Sequence, residues 1–187
     1  MSKFADYRPK DTVQPLDVSS GLIIRKAEPR DLDALALISA EREGTTQADQ
    51  LKVFERLLSQ HSESGSRMIL VADFRGEVVG FGKCGYYAPP DGAPANIASK
   101  GWYLMGVIVT PKCRRRRVAY QLTQARLQWL ARRTPKVYYF ASAQNKISIE
   151  LHRQFGFVEL TRNFCFPNTT FTGGEGVLFE VEFIQRQ

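Results

Sequence analysis

Residues Trp102–Arg133 read WYLMGVIVTPKCRRRRVAYQLTQARLQWLARR and divide into three parts. Trp102–Val109 is an apolar, β-branched run of the kind that forms a buried strand. Pro111–Arg117 is short and strongly basic. From Val118 onward apolar residues recur at Val118, Leu122, Ala125, Trp129 and Leu130, which predicts one stripe of a helix. A strand that passes through a loop into a helix N-terminus is a ready anion site. The first-turn amides lack intrahelical acceptors there, and the positive end of the helix dipole faces the loop. The run Arg114, Arg115, Arg116, Arg117 points to a ligand that carries phosphate. A solvated basic turn is the plainer alternative, and the segments on either side weigh against it.

Toward the C-terminus the pattern repeats. Val137–Ala141 (VYYFA) predicts a strand, 145–154 a helix, and Phe157–Phe164 another strand. A polar loop over 167–176 precedes a final strand, Val177–Phe183. Toward the N-terminus, Arg67–Phe74 and Glu77–Tyr87 predict a hairpin around the Arg75–Gly76 turn, and the proline-rich 88–100 a loop. Leu22–Lys26 reads as a strand. Pro29 and the acidic Asp31 and Asp33 suit the first turn of a helix that runs to about Arg42, and Leu51, Phe54 and Leu58 mark a second helix. Residues 1–20, with Pro9 and Pro15 and no periodicity, read as a tail or arm. The expectation is an α+β fold in one domain over 21–187, a mixed sheet of about seven strands flanked by about four helices.

Composition narrows the class. A chain of 187 residues with 43% hydrophobic and 24% charged residues can bury a full core. It has no apolar run of the about 18 residues that a membrane span needs, and its N-terminus lacks the apolar middle of a signal peptide. Cys84, Cys113 and Cys165 are odd in number and scattered, which fits a reducing cytoplasm better than a disulfide framework or a metal site. A net charge of +7 favours anionic ligands such as nucleotide phosphates, CoA or RNA.

Three local patterns, in order and correctly spaced, then carry a resemblance. VIVTPKCRRRRVAYQL looks like a strand ending at V-x-P followed by a loop of the form R-x-x-G-x-G/A. Asn145-x-x-Ser148-x-x-Leu151-His152-x-x-Phe155-Gly156-Phe157 looks like N-x-x-[AS]-x-x-L-Y-x-x-x-G-F. The hairpin DFRGEVVGFG resembles v-G-x-x-v-G. Together they resemble the GNAT superfamily of N-acetyltransferases, from about Leu22 to Phe183. Two departures stand out: Arg117 occupies the first glycine position of the loop, and His152 occupies the position of a tyrosine that protonates the leaving thiolate.

What the resemblance implies is transfer of an acyl group from acetyl-CoA or another acyl-CoA to an amine of a small molecule or peptide, without a metal. The donor would lie against Val107, Ile108, Val109, Arg114, Arg115, Arg116, Arg117, Val118, Ala119 and Tyr120, with Asn145 and Ser148 at the mouth of the slot for its pantetheine arm. A backbone N–H from Met105 to Val107 would polarise the thioester carbonyl. His152 would serve as acid, or through water as base; a packed helical histidine is the plainer reading. The strand Trp102–Val109 carries no carboxylate to act as base, and Glu175 in its glycine-rich loop is a remote candidate. Tyr86, Tyr87, Trp102 and Tyr103 fall at strand ends where an acceptor would enter, or they are core. His61 reads as surface.

Two other functions fit the same fold. One is an aminoacyltransferase with aminoacyl-tRNA as donor, for which Arg114 to Arg117, Arg126, Arg132, Arg133 and Lys136 would face RNA. The other is a non-catalytic acyl-CoA sensor. A cytoplasmic monomer or homodimer is expected.

Overall fold

The computed structural model describes residues 2–4, 21–171 and 173–183. Apart from 2–4 the expected arm lies outside the described residues, as does the side chain of His61. Along the chain come β1 (Ser2–Phe4), β2 (Leu22–Lys26), α1 (Leu32–Glu43), α2 (Gln47–Ser64), β3 (Arg67–Phe74), β4 (Glu77–Tyr87), β5 (Gly101–Val109), α3 (Val118–Ala131), β6 (Lys136–Ser142), α4 (Lys146–Arg153), β7 (Val158–Thr161), β8 (Thr169–Phe171) and β9 (Gly176–Glu182). Seven strands form one mixed sheet in the order β2-β3-β4-β5-β6-β9-β7. This is the expected α+β architecture. Among the described residues no helix is long and apolar enough to cross a membrane.

The described residues group into two compact units, one of 21–85 and 105–127, the other of 2–4, 86–104, 128–171 and 173–183. In the first, β2, β3 and β4 form an antiparallel meander. Its tight turn has both central residues, Arg75 and Gly76, at positive φ (54° and 88°), the twist that a two-residue hairpin requires. Before α1 the segment Pro29–Asp31 makes a 3-10 turn, where proline costs no hydrogen bond. Thr46 caps α2 by accepting from the Asp49 amide. The apolar faces of α1 and α2 (Leu35, Ile38, Phe54) close over Ile69, Val71, Val78 and Phe81 of the meander. Phe54 meets Phe81 edge to face at 5.3 Å.

In the second unit Trp102–Leu104 of β5 pairs parallel with Val137–Tyr139 of β6, and β9 pairs antiparallel with both β6 and β7. Asn145 caps α4 through its side-chain oxygen, which accepts from the Ser148 amide. The core is aromatic: Tyr103, Tyr139, Phe140, Phe157 and Phe179 are all at most 6% exposed.

Two details depart from the periodicity. The strand expected to reach Phe164 ends at Thr161. Its register on β9 shifts between Glu159 and Thr161, Arg162 folds back onto Glu159, and Phe164 turns to pack on Phe140 and Phe171. The expected loop over 167–176 contains β8, which pairs parallel with β1.

Candidate active site

In the first unit the strand-to-helix segment after β5 has the form its sequence predicts. Pro111–Cys113 makes a 3-10 turn with Cys113 buried, and Arg114 Nε donates to the Val109 carbonyl at 3.2 Å. Arg115 and Arg117 then both adopt φ +60°, the left-handed region that side chains other than glycine and asparagine seldom enter. Arg117, at the position where the resemblance implies a glycine, thus adopts a conformation that glycine enters readily. Its guanidinium lies 4.7 Å above the Tyr120 ring, and Arg115, Arg116 and Arg117 are exposed. Val118 is buried and anchors the first turn of α3, with Ala119 and Tyr120 partly buried beside it. Two left-handed residues and three exposed arginines thus stand directly ahead of a 14-residue helix that begins at Val118.

One residue upstream of the partly buried Val107, Ile108 and Val109, the strand is continuous but irregular. Gly106 has φ +51° and is exposed, at the centre of the Met105 to Val107 stretch. The irregularity is held from below by α3. Arg126 is 1% exposed. Its Nη1 donates to the carbonyls of Gly106 and Lys83, its Nη2 to Thr123 Oγ1 and its Nε to the Leu122 carbonyl. It therefore cannot belong to an RNA-facing surface, because burial has removed it from solvent and its donors are engaged within the fold. The signal was present in the sequence: Leu122, Arg126 and Leu130 share the i, i+4, i+8 row of the apolar stripe. Gly82 completes the arrangement, since a Cβ there would lie 2.8 Å from Arg126 Nε.

The second unit holds the remaining candidates. His152 is 2% exposed, and its ring stacks on Tyr139 at 3.6 Å with planes 9° apart. Its Nδ1 lies 2.7 Å from the Ser148 carbonyl; because a carbonyl can only accept, this contact places the proton on Nδ1. Tyr139 and Ser148 share a hydroxyl–hydroxyl hydrogen bond. Tyr139 lies in an apolar strand, where its sequence position looks like that of any core aromatic. Asn145 Oδ1 is committed to its capping bond, so its amide group is the part free to donate.

The aromatic candidates separate. Tyr103 is fully buried, donates its hydroxyl to the Ser99 carbonyl at 2.6 Å and stacks on Tyr138. Burial pushes its hydroxyl pKa up. Trp102 is partly buried between Tyr86 and Trp129, and Tyr86 is 40% exposed. Tyr87 packs on Tyr103 and Phe166, and its buried hydroxyl has no hydrogen-bond partner among the described residues. Glu175 pairs with Arg162. Of the other basic residues, Lys136 is paired with Glu180 and Glu182, and Arg133 lies over the Trp129 ring at 3.7 Å. No cluster of three or more metal-ligating side chains occurs among the described residues.

A sequence model described as "Acetyltransferase (GNAT) family" matches residues 33–157. Among solved structures the chain is similar to a ribosomal-protein-alanine N-acetyltransferase from Brucella melitensis, 24% identical over 86% of this chain and 99% of that one, with a TM-score of 0.67. It is similar also to an N-acetyltransferase from Staphylococcus aureus Mu50 (22% identity, 87% and 99% covered, TM-score 0.65). A third is the yncA protein of Salmonella typhimurium, solved with acetyl-CoA (19% identity, 89% and 96% covered, TM-score 0.64). At these identities the likeness is one of fold. No curated protein matches the chain in sequence.

Proposed function

This chain belongs to the acetyltransferase (GNAT) family, and from that premise we propose that it moves an acetyl or other acyl group from acyl-CoA to a primary amine of a small molecule or peptide. The observation that carries the choice of donor is the pair of left-handed arginines, Arg115 and Arg117, just ahead of α3. A loop that had ceased to cradle a pyrophosphate would have no reason to retain a conformation costing about 1–2 kcal/mol per residue. Here Arg114, Arg115, Arg116 and Arg117, with the amides of Val118 and Ala119, hold the phosphates.

The reaction forms a C–N bond between the amine and the thioester carbonyl and breaks the C–S bond. The backbone amide at Gly106, exposed and out of regular strand geometry, is the group we assign to the developing oxyanion. The leaving thiolate needs a proton. We assign this to the hydroxyl pair of Tyr139 and Ser148, with His152 as the positioning residue that fixes the Tyr139 ring from one face. Asn145 orients amide groups of the donor arm through its side-chain NH₂. Tyr86, Tyr87 and Trp102 border the acceptor.

The aminoacyl-tRNA alternative loses ground because several of the residues that would face RNA are otherwise engaged: Arg126 is buried, Lys136 is ion-paired and Arg133 covers Trp129. Calorimetric titration with acetyl-CoA at low and moderate salt, with total tRNA alongside, separates the two. Saturable acetyl-CoA binding that weakens at least tenfold when Arg114 to Arg117 become alanine supports this reading. Binding of tRNA without acetyl-CoA would replace it with the RNA-dependent one.

A further inference from the structure

Lys83 stands in the middle of β4, in the otherwise apolar run VVGFGKCGYY. Lys83 is only partly buried there, and β3 lies directly alongside, with Ile69 as its register partner. Its Nζ lies 5.9 Å from the Phe54 ring centroid and 6.0 Å from that of Phe81, so the ammonium end sits beside the aromatic pair at the heart of the α1–α2 core. It makes no ion pair with the described residues. Burial drives its pKa down; Glu43, at the end of α1, opposes this, and Arg67 on β3 adds to it. Its ammonium lies beside the Phe54 ring of α2, and its Cε faces Gly106 of β5. The charged Arg126 of α3 is bound to its carbonyl and not to its amine.

The position of the side chain gives this lysine a use. A Cβ built on Gly106 would lie 3.9 Å from Lys83 Cε. The side chain therefore passes within reach of Gly106, where β5 leaves regular strand geometry and its backbone is exposed, the place assigned above to the thioester carbonyl. No carboxylate occurs on β5 to serve as base.

We infer that Lys83 is the base that takes a proton from the acceptor ammonium; this rests on the acyltransferase reading above. One N–H proton of the ammonium passes to Lys83 Nζ and later to solvent. The freed amine attacks the carbonyl carbon, the C–S bond breaks, and a second N–H proton ends on the thiolate sulfur. The sum is ammonium plus thioester giving amide, thiol and one released proton. A lysine whose pKa is lowered by burial gives up its own proton more readily, which suits a base.

The test has two arms on the full chain. In the first, protein labelled with ¹³C at lysine Cε is titrated by NMR, the Lys83 signal being assigned by its loss in Lys83→Arg. Lys83 is expected to titrate clearly below the exposed Lys112; titration with or above Lys112 overturns the inference. In the second, acetyl-CoA is paired with benzylamine, spermidine and an alanyl peptide. Lys83→Met and Lys83→Arg should both lose about a hundredfold or more in kcat/KM, the range of general base catalysis, and should lose the acidic limb of the pH profile while still binding acetyl-CoA. Full activity in Lys83→Arg would mean that the group acts only by charge, which also overturns the inference. Failure of wild-type protein to bind acetyl-CoA is a different result, since it removes the acyltransferase reading itself. If acetyl-CoA binds and none of the three amines is acetylated, the NMR arm decides alone.

Discussion

A single nitrogen of Arg126, Nη1, donates to the carbonyl of Lys83 on β4 at 2.9 Å and to that of Gly106 on β5 at 3.2 Å. The kink in β5 is thereby tied to the neighbouring strand by a buried cation from α3. Leaving a buried carbonyl without its donor costs about 1–3 kcal/mol, so Arg126→Met should lose about 2–5 kcal/mol of stability, read as the urea unfolding midpoint at constant m-value. Arg126→Lys should fall between, since an ammonium on a shorter, unforked head cannot reach all four acceptors. A loss below about 0.5 kcal/mol for Arg126→Met, the scale of ordinary surface changes, would show that the clamp contributes nothing.

Gly82 permits that clamp. A methyl group at this position would lie 2.8 Å from Arg126 Nε and 3.0 Å from its Cζ, and those atoms are held by their own hydrogen bonds. Gly82→Ala should therefore destabilise by about 1–3 kcal/mol, as overpacking does. In the Arg126→Met background the same substitution should cost much less, because the obstructing guanidinium is gone. Equal costs in the two backgrounds would place the strain elsewhere.

This cluster also shows what could be read in the chain. The strands and helices were legible because apolar residues recur at period two or about 3.6 over long stretches. The strand–loop–helix around Arg114 to Arg117 was legible because a basic run separates a strand from a helix. Arg126 was misplaced on the surface: residue type suggested solvent, while its row between Leu122 and Leu130 indicated the core. Lys83 and Gly82 carry no motif, and their roles depend on which strand lies alongside. The β1–β8 pairing joins three-residue segments distant in sequence and has no local pattern to announce it.

Arg117 offers a test of backbone against side chain. Its left-handed conformation costs about 1–2 kcal/mol, and glycine would relieve this while adding about 0.5–1 kcal/mol of unfolded-chain entropy. Arg117→Gly should thus leave stability within about 1 kcal/mol of wild type, whereas Arg117→Val, with a β-branched side chain at φ +60°, should lose clearly more. Thermal unfolding compares the two. Acetyl-CoA affinity should fall in both, and further in valine, if guanidinium and loop shape both contribute.

Asp31 is 3% exposed and receives Arg25 through two nitrogens, at 2.7 and 2.8 Å, and the Glu28 amide at 2.8 Å; Arg25 also binds Asp73. Burial opposes ionisation of Asp31, but the hydrogen bonds from Arg25 and Glu28 prevail and hold its carboxyl below the usual range. A lowered folded pKa contributes stability that is fully present above the unfolded pKa of about 3.9 and is lost as pH falls through the folded value. Wild-type Tm should therefore fall between about pH 4 and pH 2. Asp31→Asn should start lower at pH 7 and show a shallower acid limb; an unchanged limb would mean that other carboxylates control it.

The stack of His152 on Tyr139 separates packing from chemistry at a residue whose family position suggests chemistry. Phenylalanine can keep the stacked ring but has no nitrogen to hold or move a proton. If His152 acts by fixing the Tyr139 ring, His152→Phe should fold within about 1.5 kcal/mol of wild type, as volume-conserving swaps do, and should hold kcat within about tenfold. His152→Ala should lose about 2–4 kcal/mol through the cavity it leaves. Tyr139→Phe removes the hydroxyl bonded to Ser148 while preserving the ring, and should lower kcat with little change in KM for acetyl-CoA. The opposite pattern, with His152→Phe inactive and Tyr139→Phe unaffected, would return the proton transfer to the imidazole itself.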